Sequence, residues 1–207
     1  MHTLRLMAVL AHPDDESLGV GGTLAKYASE GVDVFLLTAT RGDSGRYHGR
    51  RIDDHGHPGP SALGKIRESE LRAAASELGV REVSFLDYSD QHLDRANPRE
   101  AVAAIVRHVR RVRPQVIVTF GPDGAYRHPD HVAISQFTTA AVVAAADSSF
   151  LCDGAQAIQP HAVSKLYYLA WPESAWKAYQ VAFQNWSRPS MALNGRPCRG
   201  QTGRSPR

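Results

Sequence analysis

Cysteine is nearly missing from this chain of 207 residues, which holds only Cys152 and Cys198. Two isolated thiols exclude a disulfide framework and a cysteine-rich zinc site, and they suit a reducing compartment, so a cytoplasmic location is expected. Long apolar runs are missing as well: no segment approaches the ~18 consecutive apolar residues that a membrane span requires. The opening MHTLRLMAVLAHPDD has a short apolar stretch, broken by Arg5, that runs into acids, unlike a signal peptide. Acids are absent from residues 188–207, which carry Arg188, Arg196, Arg199, Arg204 and Arg207. Those five exceed the whole formal charge of +3, so the predicted pI near 9.0 belongs to the tail and residues 1–187 are slightly acidic. No nucleic-acid partner is expected for the domain.

What is present reads as one α/β domain over residues 1–187, followed by a basic Gly/Pro/Arg tail at 188–207 that shows no periodicity and is expected to be disordered. Residues 4–10 predict a short buried strand, 17–30 a helix, and VDVFLLTA at 32–39 a second strand. A loop of more than twenty residues follows, TRGDSGRYHGRRIDDHGHPGPSA, and its length suggests a lid. Ile66, Leu71, Ala74, Ala75 and Leu78 have helical spacing that ends at Gly79, and VREVSFLDY at 80–88 is the third strand. Asn97, Pro98 and Glu100 have the form of a helix start. Val102, Ile105, Val106, Val109 and Val112 then make one stripe, with Arg107, Arg110, Arg111 and Arg113 read as a solvated face and a favourable C-terminus. Pro114 stops that helix, QVIVTF at 115–120 is the fourth strand, an Ala/Val-rich helix runs to about 147, and KLYYLAW at 165–171 is the fifth strand. This alternation predicts a Rossmann-like, doubly wound, mostly parallel sheet with helices on both faces.

Chemistry gathers where two strands end. AHPDDE follows the first strand and YRHPDH follows the fourth. In a sheet of order 3-2-1-4-5 those strands are neighbours at the point where the winding reverses, and ligands bind outside their carboxyl ends. Proline followed by acids also suits a plain helix start, which accounts for Asp14, Asp15 and Asp130. It leaves His12, His128 and His131 unexplained, because histidine is not a preferred capping residue. A metal site explains them better. His12 and Asp15 lie three apart on a tight turn and can reach one ion, with one histidine of the second cluster as third ligand. Two imidazoles and a carboxylate leave a fourth position for water, as catalytic zinc requires. Asp14, beside the ligands without being needed as one, is then placed to take the proton of that water.

The paired motifs resemble those of the LmbE-like, or PIG-L, family of metal-dependent deacetylases, over roughly residues 4–147. The resemblance implies a zinc-dependent hydrolase that removes an N-acetyl group from a glucosamine-containing small molecule, with ferrous iron as an alternative ion. It puts the metal ligands on His12, Asp15 and His131 and the general base on Asp14. It makes His128 the group that stabilises the oxyanion or protonates the leaving amine, Asp130 the acid that orients and tunes His128, and Tyr126 a mobile group that helps polarise the carbonyl. Arg67 and Asp90 match positions that hold sugar hydroxyls. Arg41, at the end of the second strand, borders the same crevice as a candidate pocket residue.

Other features carry less. Gly19, Gly21 and Gly22 form an imperfect dinucleotide pattern with acids where a pyrophosphate would bind, so close helix packing is the better reading. His48, His55 and His57 are read as loop histidines rather than a second metal site, and Trp171, Trp176 and Trp186 as packing residues. The expected partner is a small amino-sugar conjugate, with homo-oligomerisation left open. The rival readings are an amidase of thiol-sugar conjugates, a phosphoesterase, and a metal- or sugar-binding module without catalysis. The phosphoesterase suffers from having only one ion's worth of ligands, and the binding module from the spare acid at Asp14.

Overall fold

The computed structural model describes residues 3–150, 159–170 and a few residues between 173 and 181. The tail 188–207 and the three tryptophans lie outside the described residues. The chain divides into two units, Met1–Ala170 and Trp171–Arg207, and everything described below belongs to the first.

Five parallel strands form one sheet in the order β3-β2-β1-β4-β5: β1 Arg5–Leu10, β2 Asp33–Thr40, β3 Glu82–Tyr88, β4 Val116–Phe120 and β5 Lys165–Leu169. The central position of β1 follows from its side chains. Met7, Ala8, Val9, Leu10 and Ala11 are all buried, as a strand covered on both faces must be. The winding reverses between β1 and β4, so the turns leaving these two strands open on one crevice. No helix among the described residues is long and apolar enough to cross a membrane.

The helices are α1 Gly21–Ser29, α2 Pro60–Glu77, α3 Pro98–Val112, the single kinked turn α4 Gly124–Arg127, and α5 Pro129–Ala146. Three of them differ from the sequence reading. The helix predicted at 17–30 opens with a π-helical turn, Glu16–Val20, and α1 proper begins only at Gly21. A side chain at Gly21 would press within 3.3 Å of the Glu16 carbonyl, so this glycine does serve close packing. Helix α2 starts at Pro60 rather than 66, because Gly59 supplies a left-handed bend (φ 84°) directly before the proline. The connecting loop is accordingly shorter, residues 41–59. In α3, Asn97 caps the helix as expected, accepting from the N–H groups of Arg99 and Glu100. Arg110, however, is buried rather than solvated. Its guanidinium donates to the carbonyls of Ala144, Ala145, Asp147 and Phe150, which satisfies the free C-terminal end of α5.

Candidate metal centre and active site

The turn after β1 is closed by its own acids. Asp15 Oδ2 accepts the N–H groups of Ala11 (3.2 Å) and His12 (2.8 Å), which folds the carboxylate back over the end of the strand. Asp14 lies between them with a left-handed backbone, φ 108°. Its side chain is half-exposed, and Oδ2 accepts from the Arg67 guanidinium at 2.6 Å. Arg67 also donates to the carbonyls of Pro13 and Gly42. Gly42 has a left-handed backbone, φ 64°, and a Cβ there would push the Arg67 guanidinium out of its place.

The turn after β4 meets this one across the crevice. His12 Nδ1 lies 3.2 Å from His131 Nε2 and 3.6 Å from Asp15 Oδ2, and His131 Nε2 lies 3.3 Å from Asp15 Oδ1. The far nitrogen of each ring has an acceptor. His12 Nε2 is 3.1 Å from Asp130 Oδ2 and 3.2 Å from Asp90 Oδ1, and His131 Nδ1 is 3.3 Å from the Gly124 carbonyl. Those partners assign the N–H to the far side of both rings, which leaves each ring a lone pair on the side where the other ring and the Asp15 carboxylate lie. Tetrahedral zinc with bonds of ~2.0–2.1 Å needs donors roughly 3.3 Å apart. The three measured separations fit that requirement, and the donor chemistry, two imidazoles and a carboxylate, fits it too. The His131 ring is held flat against Phe120, centroids 3.8 Å apart and planes 9° from parallel.

Electrostatics point the same way. Burial by itself would lower the His12 pKa, but hydrogen bonds to Asp130, Asp15 and Asp90 push it up to about 11. Asp15, against its own burial, is held well below the usual carboxylate range by His12 and His131. The cluster thus demands a positive charge at its centre, and a divalent cation answers that demand as a proton does. Asp14 moves the other way. Burial raises its carboxyl, and the opposing pull of Arg67 does not cancel this.

Asp15 meets the two rings through different oxygens, Oδ2 toward His12 and Oδ1 toward His131, and the donor sets whose atoms all lie within 4.8 Å among the described residues are His12/His128/His131 and His12/Asp90/Asp130. The second is already engaged with backbone. Asp130 accepts the N–H groups of Gln91 (2.7 Å) and Leu93 (3.1 Å), and Asp90 accepts that of Ser44 (3.0 Å). Both carboxylates therefore orient His12 from behind. This changes two expectations. The Asp130 carboxylate sits on His12 rather than on His128, and Asp90 serves His12 and Ser44 instead of facing the crevice as a free sugar contact. His128 acts as the cap of α5 after all, its Nδ1 accepting the Asp130 N–H at 3.2 Å. Burial, with His12 and His131 nearby, lowers the pKa of His128. Tyr126 stands 46% exposed beside this group, its ring centroid 5.1 Å from that of His131 and 5.8 Å from that of His128.

Arg41 does not join the cluster. Its guanidinium pairs with Glu68 and Asp87 and lies over the Phe85 ring, drawn toward the β3 edge. The loop histidines stay apart as well. His57 ties the loop together through the Gly45 carbonyl and the Gly59 N–H, and no loop histidine joins a metal-type donor set among the described residues. Missed in the sequence were Phe120, Gln91, Ser44 and Glu16, which touch the site only through other residues. Of these only Glu16 carried a signal, as part of HPDDE.

Fold and site together describe an α/β protein in which two imidazoles and a carboxylate meet at the strand-end crevice with a second acid beside them. The chain belongs to the PIG-L family, whose profile, described as GlcNAc-PI de-N-acetylase, matches residues 7–142. It is 38% identical over 205 residues to the 1D-myo-inositol 2-acetamido-2-deoxy-alpha-D-glucopyranoside deacetylase of Rhodococcus erythropolis, covering 89% of this chain and 68% of that one. It is 40% identical over 195 residues to the protein of the same name from Kineococcus radiotolerans, covering 82% and 52%. Among solved structures, the N,N'-diacetylchitobiose deacetylase of Pyrococcus horikoshii superposes with a TM-score of 0.68 at 25% identity, over 88% of this chain and 73% of that one. The chain thus spans about half to two-thirds of the length of the two curated relatives.

Proposed function

We propose that the chain is a zinc-dependent hydrolase that removes the N-acetyl group from a glucosamine-containing small molecule, of the class of the inositol conjugate named for its relatives. One observation carries this reading: His12 Nδ1, Asp15 and His131 Nε2 converge at zinc-like spacing with Asp14 beside them. A divalent cation held by these three supplies Lewis acidity toward water and the amide carbonyl. Asp14, with its pKa raised and its carboxylate steadied by Arg67, takes the proton of the attacking water. His128, next to the ligands and with Nδ1 occupied by the Asp130 N–H, keeps its proton on Nε2 and steadies the carbonyl oxygen with it, while the proton taken up by Asp14 passes to the departing amine. Tyr126, at the open side of the cluster, steadies the carbonyl oxygen as negative charge grows on it. Ferrous iron suits the same ligands, and availability in a reducing cytoplasm decides between the two.

The test pairs metal analysis with a fluorescamine assay for amine released from N-acetylglucosaminyl-inositol. One equivalent of metal and turnover that chelation abolishes and zinc restores are expected. Asp14→Asn is expected to keep its metal and lose ~10²–10⁴-fold in kcat. Full activity in Asp14→Asn would overturn the role given to it, and full activity without metal would overturn the whole reading.

A further inference from the structure

Within the turn after β1, Asp14 alone has a left-handed backbone, a conformation costly for a residue with a side chain. Something must hold it there. The Asp14 N–H donates to Glu16 Oε2 at 3.0 Å, and Glu16 Oε1 in turn accepts the Ser17 hydroxyl at 2.6 Å. The Asp14 carbonyl accepts the N–H groups of Ser17 (3.1 Å) and Leu18 (2.9 Å) at the start of the π-helical turn. The Asp14 residue is thus gripped at both ends of its backbone, while Arg67 holds its carboxylate.

Glu16 is 2% exposed, yet among the described residues it enters no ion pair and no metal-type donor set. Burying a carboxylate is expensive, and an amide N–H and a hydroxyl are weak recompense for it. The position makes sense through the strained neighbour it restrains. We propose that Glu16 is a positioning residue for the reaction: it locks the left-handed backbone of Asp14 and so aims the Asp14 carboxylate into the crevice. This rests on the reading of Asp14 as the base.

The experiment compares Glu16→Gln, Glu16→Ala and Ser17→Ala in the metal-loaded full chain. Gln keeps an oxygen for the Asp14 N–H and turns its amide nitrogen to the Ser17 hydroxyl, which accepts as readily as it donates, so kcat stays within about twofold. Ala lowers kcat ~10–100-fold with KM and metal content unchanged, because the base is present but misaimed. Ser17→Ala, at an exposed position that threatens folding little, frees one arm of Glu16 and lowers kcat about two- to fivefold. In an Asp14→Asn background Glu16→Ala costs nothing more, since the group it aims is already gone. Amide hydrogen exchange at Asp14, followed by NMR without substrate, accelerates about tenfold or more in Glu16→Ala and not in Glu16→Gln.

The proposal falls if Glu16→Ala keeps kcat within about twofold, if Gln damages as much as Ala, if the Ala loss persists in the Asp14→Asn background, or if exchange at Asp14 does not move. Failure of the base reading has a different signature, an active Asp14→Asn protein. If no amide substrate turns over in any variant, the exchange rate alone decides whether Glu16 holds the Asp14 backbone.

Discussion

The two turns that build the centre solve the same problem in opposite ways. The turn after β1 closes its own backbone: Asp15 caps Ala11 and His12, Glu16 holds Asp14, and the strain is confined to Asp14, while the His12 ring leans on Asp90 and Asp130 and the Asp14 carboxylate on Arg67. The turn after β4 borrows its support. Gly124, Ala125 and Arg127 all have positive φ; His131 is anchored by Phe120 at the end of β4 and by the Gly124 carbonyl, and Asp130 from elsewhere by Gln91 and Leu93. One turn fixes donors close to its own strand. The other spends backbone strain on reaching across the crevice, and it is rigid only as far as its neighbours make it so.

Removing the borrowed donor should break the site outright. His131→Ala takes away one of three converging atoms, so metal content is expected to fall to background and turnover with it. Elemental analysis beside the amine-release assay checks this. A His131→Ala protein that retains metal would shift the centre to His12, His128 and one carboxylate, and the comparison between the turns with it.

A pH titration of the metal-stripped protein tests the grip on His12, in which Asp130 and Asp90 share with Asp15. His12 binds its proton more tightly folded than unfolded, with a pKa raised from 6.5 to about 11. That contribution is complete below pH 6.5 and drains away as the pH rises toward 11, since the unfolded chain releases its proton first. The unfolding free energy of stripped protein, from urea titrations, should therefore drop across this range by several kcal/mol in all, on the scale of ~1.4 kcal/mol per pH unit. Metal-loaded protein should lack the slope, because a cation takes the proton's place, and stripped His12→Asn should lack it too.

How far the sequence anticipated these turns follows from where each anchor lies along the chain. Strand order, the Asn97 cap and the pairing of His12 with Asp15 depend on neighbours or on periodicity, and all were legible. The convergence of residues 12 and 131 was legible for a different reason: the reversal between β1 and β4 is a property of the whole topology, so it did not require any side chain to be placed. Hidden were contacts set by a single long-range partner. Arg110 looked like one more arginine on a solvated face until the carbonyls at the end of α5 were seen to need a donor. Asp90 and Asp130 looked like a sugar contact and a tuner of His128, and only the packing of the segment around Gln91 turns both toward His12. Arg41 had the right strand end but the wrong direction, because Glu68 on α2 and Asp87 on β3 outbid the crevice.

The support that β4 itself gives His131 predicts a graded effect at Phe120. Phe120→Leu keeps an apolar side chain of similar reach but removes the flat surface against which His131 is oriented. Metal affinity is expected to fall ~10–100-fold, in the range seen when an outer partner of a ligating histidine is lost. Competition against a chelator of known affinity measures it. Unchanged affinity would mean that the Gly124 carbonyl alone orients the ring, making the second turn less dependent than the comparison holds.

The smallest effect concerns strain itself. Ala125 has φ 62° and ψ −84°, the rare positive-φ γ-turn region. A Cβ there costs about 1–3 kcal/mol, while glycine gives back about 0.4–1 kcal/mol of that by loosening the unfolded chain. Ala125→Gly should therefore stabilise the protein by roughly 1 kcal/mol. The same exchange at Ala140, exposed in the interior of α5, should destabilise by about 1 kcal/mol through helix propensity. Opposite signs for one chemical change would place stored strain in the turn after β4. Urea denaturation of the two variants against the parent measures both, and equal signs would mean that the turn relaxes at no cost, leaving Asp14 as the strained residue that matters.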